Sequence, residues 1–367
     1  MFINPFPDAF GIDISDLSIK AVQLKKQMNF GKFPTYKILS ARSVTLPQGL
    51  IVNGVLQEPE KVRKYIEHLL RGGKTQKHKN VKSPWVVASI PEIHTFIKQI
   101  EIAKPAEDII EEDVFFAIKN HFPIEENEIF LDWQILPQEN EKNSLVLVST
   151  AQKDIVNMYT YLLESVGLAV IALEPESLSL ARTLVTQNKE YVNEARALLD
   201  IGATHSNLIV YDNNSVQFSK VLSFSGEIIN TALAQKLKIT RDQAENMKYE
   251  IGFQISGKDK KAIQAILTTL PILGNELAQA IRFYYTHFPN AHKITHITMC
   301  GGGAYLKNLP EILTEKLGIE SLPGHVWKNL NITDSKKLPE NEALSYAVAI
   351  GLGLRAANHP YVQHKKK

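Results

Sequence analysis

Cysteine is almost missing from this 367-residue chain, where Cys300 stands alone. Without a second thiol no internal disulfide can form, so a reducing compartment such as the cytoplasm is the expected home. Long apolar runs are missing too. No stretch approaches the roughly 18 apolar residues of a membrane span, and the opening MFINPFPDAFGIDI lacks a basic segment followed by an apolar one. Direct membrane insertion is not expected. Nor is there an excess of charge of one sign: the formal net charge is +2, whereas a surface built to grip nucleic acid carries a clear basic surplus. Nucleic acid is therefore not an expected partner. What is present is a globular composition, 44% hydrophobic and 22% charged, in a chain longer than the roughly 250 residues at which single cores stop growing. Two or more packed units are expected.

Two stretches echo each other: FGIDISDLSIKAVQL at 10–24 and ALLDIGATHSNLIVY at 197–211. Each is an apolar run, then Asp-Ile, a small residue, a polar turn and a second apolar run, and each continues into a further alternating strand. That pattern predicts a duplicated strand meander. Residues 59–71 place Val62, Tyr65, Ile66, Leu69 and Leu70 on one helical face, with Pro59 at the start and Gly72 past the end. From Ile93 to Gly167 the order strand, helix, strand, strand, helix makes a small α/β unit of its own. Asp154 is expected to cap its last helix and Gly167 to end it in a left-handed conformation. Thr240 and Gln243 fit a capping box. The final stretch ENEALSYAVAIGLGLRAAN reads as one helix, in which Ala343, Ala347 and Gly351 form a smooth stripe for close packing.

Hairpins of this kind would set two groups of backbone N–H donors facing each other, a good anion cradle. In the first, Asp16, Leu17 and Ser18 offer amides and a hydroxyl, and Lys20 offers a point charge for phosphate. In the second, Gly202, Ala203 and Thr204 do the same without a lysine. Asp13 and Asp200 would repel a polyphosphate unless a hard cation lay between them, and Mg2+ held through water suits that place. Gly301, Gly302, Gly303 and Ala304, between a strand and a helix, let a flat base lie against backbone. A lone Asp-Ile string carries little, because it also arises by chance at a strand end; the pair carries more.

Other motifs have plainer readings. The basic GGKTQKHKNVK lacks interleaved aromatics and reads as a solvated loop; its GGKT is not a phosphate loop, since His68 stands where the motif needs glycine. His292 and His296 lead into a strand, where their spacing does not converge on one ion. Phe283, Tyr284, Tyr285 and Phe288 read as core and rim of a helix.

Taken together, FGIDISDLSIKAVQLKK, EPESLSLAR, LLDIGATHSNLIVY, SGEIINTALAQKLKITRDQAENMK, MCGGGAYLKNLPEIL and SYAVAIGLGLR run in order along nearly the whole chain. As a set they resemble the actin-like ATPase superfamily, and most closely the PilM family of type IV pilus assembly proteins, itself related to the division protein FtsA. The resemblance implies an α/β protein of actin-like ATPase fold: two ribonuclease-H-like halves around a nucleotide cleft, with an inserted subdomain. By position the first half takes 1–84, 168–194 and 345–367. The insert takes 85–167, the second half 195–225 and 293–344, and a smaller subdomain 226–292.

ATP and Mg2+ are the implied ligands. The phosphate loops are then Asp13 to Lys20 and Asp200 to Thr204, Glu245 and Lys248 contact ribose and adenine, Gly226 lines the same side, and Gly301 to Ala304 lie along adenosine. Read without the resemblance, Glu245 and Lys248 are a surface ion pair. Ser15 departs from the glycine of most relatives, and Ala203 stands where actin and the sugar kinases carry a polar or acidic group, so weak or no hydrolysis is expected. Glu174 is the remaining candidate to orient a water, its plainer reading being a helix-start acid. The implied role is a cytoplasmic scaffold at the inner membrane that binds the N-terminal peptide of PilN, as an extended segment where the insert meets the first half. Pilus motor ATPases are further implied partners, and self-association is open. The competing classes are an active phosphotransferase, for which the second loop offers no obvious base, and an FtsA-like filament, for which the ending HPYVQHKKK lacks an amphipathic helix.

Overall fold

The structure, a computed structural model, describes residues 4–27, 34–71, 80–119, 125–137, 142–187, 189, 191, 193–288, 290–331, 338 and 340–358. The chain opens with β1 (Phe10–Ser15), β2 (Ser18–Gln27) and β3 (Thr35–Thr45), a small hairpin of β4 (Ile51–Val52) and β5 (Val55–Leu56), then α1 (Pro59–Arg71) and β6 (Trp85–Ile90). Next come β7 (Thr95–Ile102), α2 (Glu111–Lys119), β8 (Ile129–Leu136), β9 (Ser144–Gln152), α3 (Lys153–Ser165), β10 (Ala169–Pro175) and α4 (Glu176–Leu184). The later part holds β11 (Glu194–Ile201), β12 (Ser206–Asp212), β13 (Ser215–Leu222), α5 (Gly226–Leu237), α6 (Arg241–Ile251), α7 (Lys260–Leu267) and α8 (Leu270–His287). It ends with β14 (Lys293–Cys300), α9 (Leu309–Leu317), β15 (Glu320–Pro323), α10 (Glu340–Ala343) and α11 (Ala347–Ala357).

The echo in the sequence is an echo in topology. One sheet has the order β10-β6-β1-β2-β3, and the order β15-β14-β11-β12-β13 repeats it within the other. The senses repeat as well: β1 runs antiparallel to β2 and parallel to β6, as β11 does to β12 and β14. Central strands covered on both faces need side chains that tolerate no water, and β1 and β12 are buried almost throughout. On one face of the first sheet α11 lies so close that a Cβ on Gly11 would overlap the Gly353 backbone, and one on Gly351 would overlap the carbonyl of Ser179 in α4. The small-residue stripe thus has its packing partners. On the other face Val62, Ile66 and Leu69 of α1 join Tyr159 and Leu163 of α3 in a second core.

The stretch expected as an insert continues the second sheet. Its strands β7, β9 and β8 are added at the edge strand β13, with Phe218 opposite Lys98 as the paired position. A third, smaller core of Ile100, Val114, Ile118, Val146 and Val148 lies within it. An insert boundary at residue 85 cuts through the first sheet, because β6 is one of its central strands, and α3 packs into the first-half core.

Several local expectations also change. Asp154 does not cap α3, which begins at Lys153 with Gln152 as N-cap, whereas Gly167 has the expected positive φ of 83°. The first helix of the Ile93–Gly167 stretch begins only at Glu111, as α2, after a 3-10 turn at Ala106–Asp108. The last helix is broken by a 3-10 turn at Leu344–Tyr346, which leaves Ala343 on a separate short piece. The capping box at Thr240 and Gln243 is present. Gly72 and most of the basic loop lie outside the described residues, as does the terminal HKKK.

Candidate functional site

The β1–β2 hairpin pairs Asp13 with Lys20 and Ser15 with Ser18, so the turn between them is tight and its polar side chains gather at one end of the sheet. Asp13 is buried and accepts a hydrogen bond from the Ser89 hydroxyl at 3.1 Å. Lys20 Nζ donates to Ser18 Oγ at 2.6 Å. Asp16 divides its roles. It lines the cleft described below, but its carboxylate accepts from the amides of Asn53 at 3.0 Å and Gly54 at 2.9 Å, in the β4–β5 turn.

The second hairpin stands opposite. Asp200 pairs with Asn207 on β12 and with Cys300 on β14, and the Cys300 thiol lies 3.4 Å from Asp200 Oδ1. The turn is held from within, the Gly202 amide donating to the His205 carbonyl at 3.1 Å. It is also held from α5, where Gly226 and Glu227 donate to the carbonyls of Gly202 and Ala203 at 3.1 and 2.9 Å. After β14, Gly301 takes a φ of 78° and packs where a Cβ would overlap both Asp200 Oδ1 and the Ile201 carbonyl. Only glycine fits that approach. Gly303 is pressed against Ile201, while a Cβ on Gly302 would meet the Tyr249 hydroxyl, the tip of a side chain, at 3.3 Å.

Between these walls lies a cleft of about 370 Å³. It brings together Asp13, Ser15, Asp16, Leu17, Ser18 and Lys20 from one half with Asp200, Gly202, Ala203, Thr204 and Gly226 from the other. Glu245, Lys248, Gly301, Gly302 and Gly303 line it as well. Glu245 and Lys248 are not a surface pair. Lys248 is buried, its Nζ 2.9 Å from Glu245 Oε2, which also accepts from Asn230 at 2.6 Å.

Two expected residues are elsewhere. Ala304 is buried behind the glycine loop and is absent from the lining. Glu174 is locked away from the cleft, with Arg182 at 2.6 Å and Arg355 at 2.5 Å, and with the Ser179 hydroxyl also donating at 2.6 Å. Burial alone would lift its pKa, but the two guanidinium groups more than offset this and hold it at about 2. A carboxylate so fully engaged cannot orient a water in the cleft.

Glu176, two residues on, does line the cleft. Its Oε2 accepts from Asn207 Nδ2 at 2.8 Å. His205, Arg241 and Tyr249 were likewise not singled out in the sequence and line the same space. Beyond the lining, buried Glu92 accepts from the Ser177 amide at 3.0 Å and from the Ser219 hydroxyl of β13, joining the halves.

The electrostatics are those of a buried site crowded with acids. Burial pushes Glu176 well up, and Asp13, Glu92 and Asp200 push it further. Burial also raises Asp13 against the pull of Lys20. It lifts Asp200 to about 6, with the Cys300 thiol opposing and the Asp13 carboxylate adding. Like charges held this close favour a cation among them. Among the described residues no three acidic, His or Cys side chains are placed to hold one ion directly. An oxygen-only donor set with room for water suits Mg2+ completed by phosphate oxygens. His292 and His296 do not share an ion either, being paired with Asp212 at 2.9 Å and Glu320 at 2.9 Å.

The fold recurs in solved structures. One described as a PilM-PilN type IV pilus biogenesis complex superposes with a TM-score of 0.79 at 23% identity, covering 96% of this chain and 99% of that one. The ethanolamine utilization protein EutJ of Carboxydothermus hydrogenoformans follows at TM-score 0.53 and 12% identity, over 94% and 88% of the two chains. MreB5 of Spiroplasma citri bound to AMPPNP gives 0.51 and 12%, over 95% of each. These likenesses establish the actin-like ATPase fold. A sequence model of the family described as type IV pilus assembly protein PilM matches residues 11–357, and the chain belongs to that family.

Proposed function

We propose that this PilM-family protein is an ATP- and Mg2+-binding scaffold of the type IV pilus assembly platform, whose nucleotide-bound form holds an extended N-terminal peptide of PilN. The observation that carries the reading is the cleft: two hairpins related by duplication, each with an aspartate on its first strand, face one another with a glycine loop alongside. A concave site of this size suits a nucleotide. Lys20 and the turn amides would meet phosphate, Asp13 and Asp200 would hold Mg2+ through water, and Gly302 leaves room for a flat base beside Tyr249 and Lys248. The likeness to a structure described as a PilM-PilN complex supports PilN as the partner. Such a partner would hold the protein at the inner membrane from the cytoplasmic side, consistent with there being no described helix long and apolar enough to cross one. Motor ATPases of a pilus, secretion or competence machine are further candidate contacts.

The site supports slow or absent turnover. Ala203 offers no group to place a water, Glu174 is engaged elsewhere, and one oxygen of Glu176 is held by Asn207. Titration calorimetry tests the reading: Mg-ATP binds the wild type, and Lys20→Ala or Asp200→Ala weakens it about tenfold or more through a lost charge-assisted contact. Unchanged affinity in both variants removes the cleft assignment. A synthetic PilN N-terminal peptide that fails to bind with or without Mg-ATP sinks the scaffold reading, and kinase-like transfer to a small acceptor would replace it.

A further inference from the structure

The β4–β5 turn is bonded on every side. Asn53 and Gly54 both have positive φ, 50° and 75°, so their four backbone polar groups point outward from a tight reversal. Both amides donate to Asp16 of the cleft hairpin. The Asn53 carbonyl accepts from His94 Nε2 at 2.7 Å, and the Gly54 carbonyl accepts from the Tyr159 hydroxyl at 2.9 Å. His94 Nδ1 is in turn 2.8 Å from Gln152 Oε1. His94 sits on the segment that enters the insert, Gln152 ends the strand that leaves it, and Tyr159 lies on the helix that follows. A Cβ on Gly54 would come within 2.7 Å of Pro91, so the turn also abuts the entry segment sterically.

We infer that this turn relays the state of the cleft to the insert. The inference rests on the proposed nucleotide binding and names its regulation. One residue, Asp16, contributes to the wall where phosphate would settle and also grips the turn; the turn in turn grips both stems of the insert. Ordering the Ser15–Ser18 turn on a ligand therefore orders Asn53 and Gly54, and through them Pro91–Thr95 and Gln152–Tyr159. Coupling of this sort is reciprocal: a peptide that stiffens the stems tightens nucleotide binding by the same factor. Neither His94 nor Tyr159 lines the cleft, so both are positioning residues that can be altered without touching the proposed binding site. A turn that serves only as local packing would be equally protected with the cleft empty or full.

Amide hydrogen exchange on the full chain, with and without Mg-ATP, separates these cases. In the wild type Mg-ATP slows exchange about tenfold in both stems; in His94→Ala/Tyr159→Phe the response falls below about threefold, while Mg-ATP affinity measured by calorimetry stays within about threefold of wild type. His94→Gln, whose amide nitrogen can take the place of Nε2, keeps the response. Equal protection in the wild type and the double variant overturns the relay and leaves the nucleotide reading standing. If the wild type does not bind Mg-ATP at all, that reading falls and the relay with it.

Discussion

Glu174 and Glu176 are separated by one proline and have opposite fates. Glu174, the next-to-last residue of β10, meets Arg182 and Arg355, which hold it ionised, whereas Glu176 begins α4 and lines the cleft, where burial and neighbouring acids favour its neutral form. The acid itself was visible in LEPES; its direction was not, because one partner lies 8 residues away and the other 181. A native pKa of about 2 against an ordinary 4.5 means that the group stabilises the fold above pH 4.5, and that this contribution is lost as the pH falls toward 2. Glu174→Gln should accordingly cost about 3 kcal/mol at neutral pH, an upper figure from the shift alone, and leave two arginines without their counter-charge. Chemical denaturation at pH 7 and pH 3.5 checks this: the gap between variant and wild type narrows at the lower pH. A gap that stays constant would mean that hydrogen-bond geometry, and not charge, is what Glu174 supplies.

Hairpins were the most legible elements, because their alternation and turn residues are local signals. Less legible were those set by distant contacts. The β4–β5 hairpin is two residues on each strand and owes its place to Asp16, His94 and Tyr159. The break in the final helix at Leu344–Tyr346 coincides with Leu344, whose carbonyl accepts from the Gly301 amide and whose own amide donates to the Tyr305 hydroxyl. The glycine loop yields a contrast between neighbours. Gly301→Ala forces a side chain into the left-handed region and onto Asp200, and should cost about 2 kcal/mol or more and abolish nucleotide binding. Gly302→Ala, with only the Tyr249 hydroxyl 3.3 Å from the new methyl, should leave the melting temperature nearly unchanged and weaken nucleotide alone. Thermal melts paired with calorimetry distinguish the two, and equal destabilisation by both would contradict the packing described for Gly301.

Across the whole molecule, the duplicated meander could be read in advance from two quoted stretches, but the destination of the insert could not. Strand β7 pairs with β9 over eight positions, from Thr95–Ala151 to Ile102–Ser144, but with β13 at the Phe218–Lys98 position. Around that seam Lys98 Nζ lies 5.6 and 5.7 Å from the ring centres of Phe283 and Phe288, and Phe218 stacks on Phe288 at 5.7 Å. Such ring and cation contacts contribute on the order of 1 kcal/mol each, so the seam is weak beside the ladders that flank it. Nothing in the local pattern of FIKQIEI or VQFSKVL announces which foreign strand will lie beside it. Sheet edges do not carry their partner's address.

That narrow seam bears on how the protein behaves in a tube and in a crowded cell. If the two halves swing apart when empty, β13 and β7 separate and each shows a bare row of peptide groups, which neighbouring molecules can adopt as a template. Ligand would then act as a solubility agent. Light scattering of concentrated samples held just below the melting temperature should rise several-fold faster without Mg-ATP than with it, and a seam closed by an engineered cross-link between β13 and β7 should remove the difference. On the proposed nucleotide binding, storage with Mg-ATP is the practical remedy.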